Sequence, residues 1–287
     1  MNNKFTNDTS IFSSNPVITA FNRICSEAYT HYHENLSPEI VGKMNVRQHL
    51  LIRLLYYAET TSSSIFLLIQ KGLTLQALAL LRLRSEQVIV NSYLIHEEPE
   101  KALKPFVYHM SVKRYRNSKL AESDPKVKEN LDPKFHSSNF KQQAVEAQVE
   151  LDPTFDQESE KFQRGWTKLD LLSMAITRDK ITETLDLISK RPLQIVYKGI
   201  YPLTSGIVHC DMSAISKDFL KIFYLEKEKP GVLMPVPSWA IITAGYCCMV
   251  DVIQTHETLK WLGYEDLNFY KELERKRIKV SEENNLA

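Results

Sequence analysis

Glycine is scarce in this chain, with 8 residues in 287. That argues against a turn-rich all-β sandwich and against a nucleotide fold built on a glycine loop. The sequence holds no Walker loop, no G-x-G-x-x-G and no G-x-S-x-G, so the common nucleotide and hydrolase templates have no foothold. Cysteine is equally sparse. None of Cys25, Cys210, Cys247 and Cys248 forms a C-x-x-C pair, which predicts buried free thiols in a reducing compartment rather than disulfides or a zinc knuckle. No sign of charge dominates: 36 basic residues face 35 acidic ones, unlike a dedicated double-stranded DNA binder. Long hydrophobic runs are missing too. The longest apolar stretch, Trp239 to Ile253, is interrupted by Gly245 and Asp251, and the N-terminus has no apolar signal core. The expectation is a cytoplasmic protein without a membrane partner.

What is present is helical periodicity, with no sustained alternation of period two. Asn15-Pro16 reads as a helix cap followed by proline at the first position, ahead of Val17, Phe21, Ile24, Cys25 and Ala28 at helical spacing. Long helices are predicted over Asn45 to Lys71, Leu75 to Ile95, Glu100 to Leu120 and Trp239 to Leu262, with shorter ones over 166–177, 181–189, 193–209 and 213–225. Gly72 supplies a C-terminal cap for the first of the long four. Between Ser111 and Gly165 only 15 of 55 residues are hydrophobic, and Asp124-Pro125, Asp132-Pro133 and Asp152-Pro153 read as turns. This stretch is expected to be peripheral, with one amphipathic helix near Asn139 to Glu150. The predicted fold class is all-α, a helical bundle of about four long core helices with short additions. Its divisions are a polar tail over 1–15, a single domain over 16–262 with the insertion at 111–165, and a charged C-terminal helix and tail over 263–287.

Two groups of polar residues stand in apolar company. Along Leu75 to Ile95, the positions of Arg82, Glu86, Ile89 and Tyr93 fall within a wedge of roughly 60°. The other faces are apolar as well, so the helix is expected to be central, with Arg82 and Glu86 paired across one turn and Arg84 turned away toward solvent. The second group is Lys198, Tyr201, Ser205 and His209, a stripe within about 80° on a helix that also contains Pro202. Each group has two readings: a buried network that fixes helix register, or a functional site.

The runs Leu80-Leu81-Arg82-Leu83-Arg84-Ser85-Glu86 and Tyr201-Pro202-Leu203-Thr204-Ser205-Gly206-Ile207-Val208-His209 resemble the bacterial family of unknown function DUF5677, over roughly residues 45 to 260. That family is similar in turn to HEPN-type helical domains, which include metal-independent RNases of toxin and antiviral systems. HEPN nucleases carry Arg, four to six residues, then His on one helix. None of the 8 histidines here has Arg at the matching distance, so an Arg/His site would be assembled across helices from Arg82 and His209.

The resemblance implies a catalytic set of Arg82, Glu86, Tyr201, Ser205 and His209. His209 would move a proton at a ribose 2′-hydroxyl or leaving oxygen, Arg82 would grip the phosphate, Glu86 would orient Arg82, and Tyr201 and Ser205 would add neutral hydrogen bonds. No cofactor and no metal are implied. His31-x-His33 with Glu34 is the only dense group of potential ligands, and alternate residues on a helix diverge. Lys113, Arg114, Tyr115 and Arg116 are expected to contact RNA, the cations through phosphates and the ring by stacking, unless they form a solvated helix end. The partners implied are RNA, a partner or antitoxin protein, and a second copy in a homodimer. The alternatives are a non-catalytic scaffolding module with a buried Arg-Glu-His network, and a sensor holding a small anionic ligand on Arg82.

Overall fold

The computed structural model describes residues 14–36, 41–158, 161–181, 192–208, 237–264 and 266–284. These form an all-α protein, with ten α-helices and no strand among the described residues. In chain order the helices are α1 (Pro16–Asn35), α2 (Val46–Gln70), α3 (Thr74–His96), α4 (Leu103–Glu122), α5 (Pro125–Asn130), α6 (Ser138–Leu151), α7 (Leu171–Ile181), α8 (Pro192–Val208), α9 (Pro237–Trp261) and α10 (Leu267–Glu283). The helices expected over 181–189 and 213–225, and the linker over 228–237 apart from Pro237, lie outside the described residues. So does Cys210.

Local chemistry accounts for the boundaries. The Asn15 side chain accepts from the backbone N–H groups of Val17 and Ile18, and Pro16 occupies the first turn, where a missing N–H costs nothing. Asn45 and Gln48 close a reciprocal capping box at the start of α2. Gly72 ends α2 with φ +71, a left-handed turn that a side chain would strain, and Leu73 N–H reaches back to the Leu68 carbonyl at 2.8 Å. Asp124-Pro125 and Asp132-Pro133, read as turns, start helical segments instead: each Asp caps the N–H two residues on, and the proline sits in the first turn. The helix expected from Trp166 begins only at Leu171. Pro202 neither breaks α8 nor starts a new helix, and the element runs through it.

The chain divides into two compact units. The first combines Met1–His96 with Leu171–Ala287, and the second is Glu97–Asp170. The second is wider than the expected insertion, since α4 belongs to it rather than to the core of the first. Within it α4 packs against α5 and α6, and buries Val112 and Tyr115 with Ala144 and Ala147.

In the first unit α3 touches α2, α7, α8 and α9, while α9 touches α1, α2, α3 and α10. These two central helices are buried along nearly their whole circumference. Leu78, Leu81, Val88 and Leu94 of α3, with Ala244, Cys247, Val250 and Leu259 of α9, are all essentially without exposure. Close approach of α8 depends on a missing side chain: a Cβ at Gly199 would lie 2.5 Å from the Tyr246 hydroxyl. Helices buried over most of their surface must bury polar residues too, and so the buried charges of α3 and α9 need partners from neighbouring helices.

Candidate functional site

Arg82 and Glu86 lie on α3 one turn apart and do pair, Nε donating to Oε1 at 3.1 Å. α8 completes the group. The Arg82 guanidinium lies 4.4 Å above the Tyr201 ring, and Nη2 donates to the Tyr201 hydroxyl at 2.9 Å. Tyr197 stacks on Tyr201 one turn earlier, with centroids 4.8 Å apart, fixing the ring. The Arg82 side chain is 10% exposed and that of Glu86 34%, so the cluster sits at the margin of the core rather than inside it. Three of the five residues expected to form one site are thus brought together from two helices. The Ser205 side chain and all of His209 lie outside the described residues. Lys198, on the same helix as Tyr201, is exposed.

Arg84 corrects an expectation. Instead of facing solvent it is fully buried, in an ion pair with the equally buried Asp251 of α9. Asp251 Oδ1 accepts from Arg84 Nη2 at 2.8 Å and Nε at 3.0 Å, from Ser62 at 2.7 Å, and from Tyr29 at 2.9 Å. The physical reason lies on the far side of α3: α2 and α9 cover it there, so a residue opposite Arg82 meets those helices, not water. Such a pair persists only with dense hydrogen bonding, because desolvating each ion costs several kcal/mol. Burial, and next the Asp251 charge, push the Tyr29 phenol well above its ordinary range. A pocket of about 230 Å³ reaches down to this cluster between Tyr29, Ser62 and Asp251, with His33 and Glu59 paired at 3.0 Å among its lining. Its carboxylate is already committed to four donors, which suits it to structure more than to proton transfer. The readable signal was Asp251 itself, a carboxylate inside the chain's longest apolar stretch.

A second buried charge cluster has no counterpart among the sequence expectations. Arg178 of α7 contacts Asp179 at 3.0 Å and Glu257 of α9, all three essentially without exposure. Asp179 in turn accepts from the N–H groups of Leu193 and Gln194, so it caps the start of α8. His96 approaches Glu257 at 3.6 Å, and His256 lies beside Tyr270 with ring centroids 5.0 Å apart. Burial is the main cause that pushes both imidazoles down to about 4, helped by the nearby cations Arg178 and Lys260. For His96 the Glu257 carboxylate pulls the other way, but Arg178 already holds that carboxylate, and the downward direction prevails. Both histidines are neutral at ordinary pH. Burial also lowers Arg178 to about 10, which leaves it charged.

The four residues expected to meet RNA lie on α4 but do not share a face. Tyr115 is buried, edge-on to Phe162 at 5.3 Å, so it offers no open ring for a base. Its neighbours at 112 and 108 explain this, since the same helix face seats Val112 against α6. Arg114 lies over the Phe140 ring at 5.6 Å. Lys113 and Arg116, by contrast, are exposed and line one open groove.

No set of three or more His, Cys, Asp or Glu side chains suited to a metal occurs among the described residues. His31 stacks on Phe269 at 4.0 Å while His33 pairs with Glu59, so the two diverge as helix geometry requires. Cys25, Cys247 and Cys248 are free and buried. Burial raises the Cys25 and Cys247 thiols well above their ordinary range, which keeps them protonated and poor nucleophiles. No helix among the described residues is long and apolar enough to cross a membrane.

The fold and these clusters define an all-α protein whose central helices carry buried, mutually neutralised charge, with one guanidinium site at the margin of the core. Residues 48–223, more than half of the chain, match the family of unknown function DUF5677, and the chain belongs to that family. No curated protein and no solved structure matches it. Arg82, Glu86, Tyr201, Ser205 and His209 all fall within the matched span, whereas Asp251 and Glu257 lie beyond it.

Proposed function

We propose that this protein is a cytoplasmic, metal-independent endoribonuclease of HEPN type, acting in a bacterial toxin or phage-defence setting. The observation that carries the reading is the Arg82 guanidinium, oriented by Glu86 from its own helix and by Tyr201 from another, at a margin rather than in the sealed core. A fork held in this way is suited to a phosphodiester, because paired N–H donors match phosphate oxygens and fixed charge stabilises the transition state. In this mechanism Arg82 binds the scissile phosphate, Glu86 holds Arg82 in place, and Tyr201 and Ser205 hydrogen-bond the reacting group. His209 takes the proton from the 2′-hydroxyl and returns one to the leaving 5′-oxygen. A second copy of the chain completes the site in a homodimer, and a partner protein of antitoxin type restrains it.

One observation favours a second reading. With 10% of its side chain exposed and both Nε and Nη2 engaged, Arg82 has the features of a register-setting residue in a non-catalytic scaffold. The two readings separate in an RNA-cleavage assay in EDTA, comparing wild type with His209→Ala and Arg82→Ala after circular dichroism has checked helix content. The nuclease reading expects 2′,3′-cyclic phosphate ends from wild type and loss of cleavage in folded variants. Variants that unfold, or that cleave as wild type does, support the scaffold.

A further inference from the structure

The groove that holds Lys113 and Arg116 has a composition unlike the rest of its unit. Its lining runs along one face of α4 (His109, Lys113, Arg116, Lys119 and Leu120) and is closed by Arg164 and Trp166 from the segment after α6, around a volume of about 730 Å³. Glu97–Asp170 as a whole carries 13 basic and 14 acidic residues. Yet among the described residues no Asp or Glu lines this groove. The positive charge is therefore a segregation, not the by-product of a basic unit. Among the described residues no carboxylate pairs with Lys113, Arg116 or Arg164, although elsewhere in the unit Lys101, Lys104 and Lys134 do find acidic partners. His109, at the groove floor, is held below its ordinary range by burial, then by Arg116 and Lys113, so the two cations act on one small volume.

We infer that this groove binds single-stranded RNA, with phosphates on Lys113, Arg116, Lys119 and Arg164 and an unstacked base against Trp166 and Leu120. Cations that track a concave surface beside aromatic and apolar faces are what a single strand needs, because its bases are free to leave the stack. Leu120 is 72% exposed, so its apolar side chain is open to a base that leaves the stack. Trp166 is half-buried and perpendicular to Phe106, with ring centroids 5.3 Å apart, a contact that positions its ring in advance. Lys113 and Lys119 are separated by about 9 Å of helix rise, enough for a few phosphates and far short of the surface a duplex reader spans. Asn117 and Ser123 also line the groove and add neutral polar groups to it.

This inference deepens the RNA reading by naming where the strand is held, and its test reads binding alone. The full chain in EDTA is titrated against a short fluorescein-labelled single-stranded RNA by anisotropy. We expect Lys113→Glu with Arg116→Glu to weaken binding by tenfold or more while helix content is unchanged. Arg114→Glu, whose guanidinium lies over Phe140 outside the groove, leaves affinity within about twofold. Three to four engaged phosphates give a log–log salt slope of roughly −2 to −3 for wild type, reduced by about one unit in each single groove variant. Tryptophan fluorescence quenched on RNA addition, and no longer quenched in Trp166→Phe, places the base. Equal affinity of wild type and the double variant overturns the inference. So does equal loss from Arg114→Glu, or competition by duplex RNA or phosphatidylserine vesicles as strong as by the single strand. Groove-dependent binding without cleavage would sink the nuclease and leave the groove standing. Cleavage indifferent to the groove variants would do the reverse.

Discussion

Arg82 and Arg84 stand two residues apart on one helix and meet opposite surroundings. On the Arg84 side of α3, the helices α2 and α9 close over the guanidinium, and a carboxylate, a serine and a tyrosine converge until no exposure remains. On the Arg82 side α8 lends an aromatic face and a hydroxyl, and the carboxylate partner stays a third exposed. The helix rotation of ~200° between alternate residues turns a two-residue step into the difference between core and margin. A charge that is fully surrounded holds helices in register. A charge at the margin is the one that can still meet a ligand.

The largest expected effect is on the surrounded side. Arg84→Met or Asp251→Ala leaves one ion buried without its partner and lowers stability by about 3–5 kcal/mol, read as a shift in the urea midpoint. Replacing both together, Arg84→Met with Asp251→Leu, recovers most of that loss, since a well-packed apolar pair needs no solvation. If the double variant were as unstable as either single one, packing rather than charge would be the reason for the pair.

Acid comes next. His256 is held near 4 against an ordinary imidazole near 6.5, so the folded state resists a proton that the unfolded chain accepts. Stability is therefore fully present above pH 6.5 and is lost as pH falls toward 4, by up to about 3 kcal/mol for a shift of this size. His256→Gln should flatten that part of the profile, measured by urea midpoints at pH 7 and pH 5. An unchanged slope would place the acid sensitivity elsewhere.

On the marginal side the cost is smaller. Arg82→Ala removes a partly exposed ion pair, a hydrogen bond and a ring contact, together about 1–2 kcal/mol. Smallest of all, Lys113→Glu on the open face of α4 should move stability by no more than about 0.5 kcal/mol, whatever it does to RNA. A loss from Arg82→Ala as large as that from Arg84→Met would erase the contrast between the two faces.

Much of this was legible in the residues. Periodicity gave the helical class and the central place of α3, because Leu80, Leu81, Leu83, Val88 and Val90 make it apolar nearly all round. Spacing gave the Arg82–Glu86 pair, and the polar stripe on the later helix singled out Tyr201, which α8 brings against Arg82. The same all-round apolarity should have buried Arg84 as well. Its partner is 167 positions away, and a pairing at that separation leaves no local pattern to read. The pairing of Arg178 with Glu257, also distant in sequence, escaped for the same reason. The Asp-Pro pairs were legible only in part: an aspartate before proline suits a turn and a helix start equally, and the residues after the proline decide between them. Tyr115 looked like part of a basic patch because neighbours in sequence on a helix look in different directions, and the patch dissolved into one buried ring and two separate faces.

The most direct measurement sets Arg82→Lys beside Arg84→Lys, each scored for melting temperature and for RNA cleavage in EDTA. Lysine keeps the charge and removes the planar fork, so it asks what each fork is for. We expect Arg82→Lys to melt within about 2–4 °C of wild type and to lose cleavage by tenfold or more. Arg84→Lys should melt well below both, with cleavage per folded molecule preserved. Wild-type cleavage by folded Arg82→Lys would contradict the assignment and make Arg82, like Arg84, a residue that holds helices together.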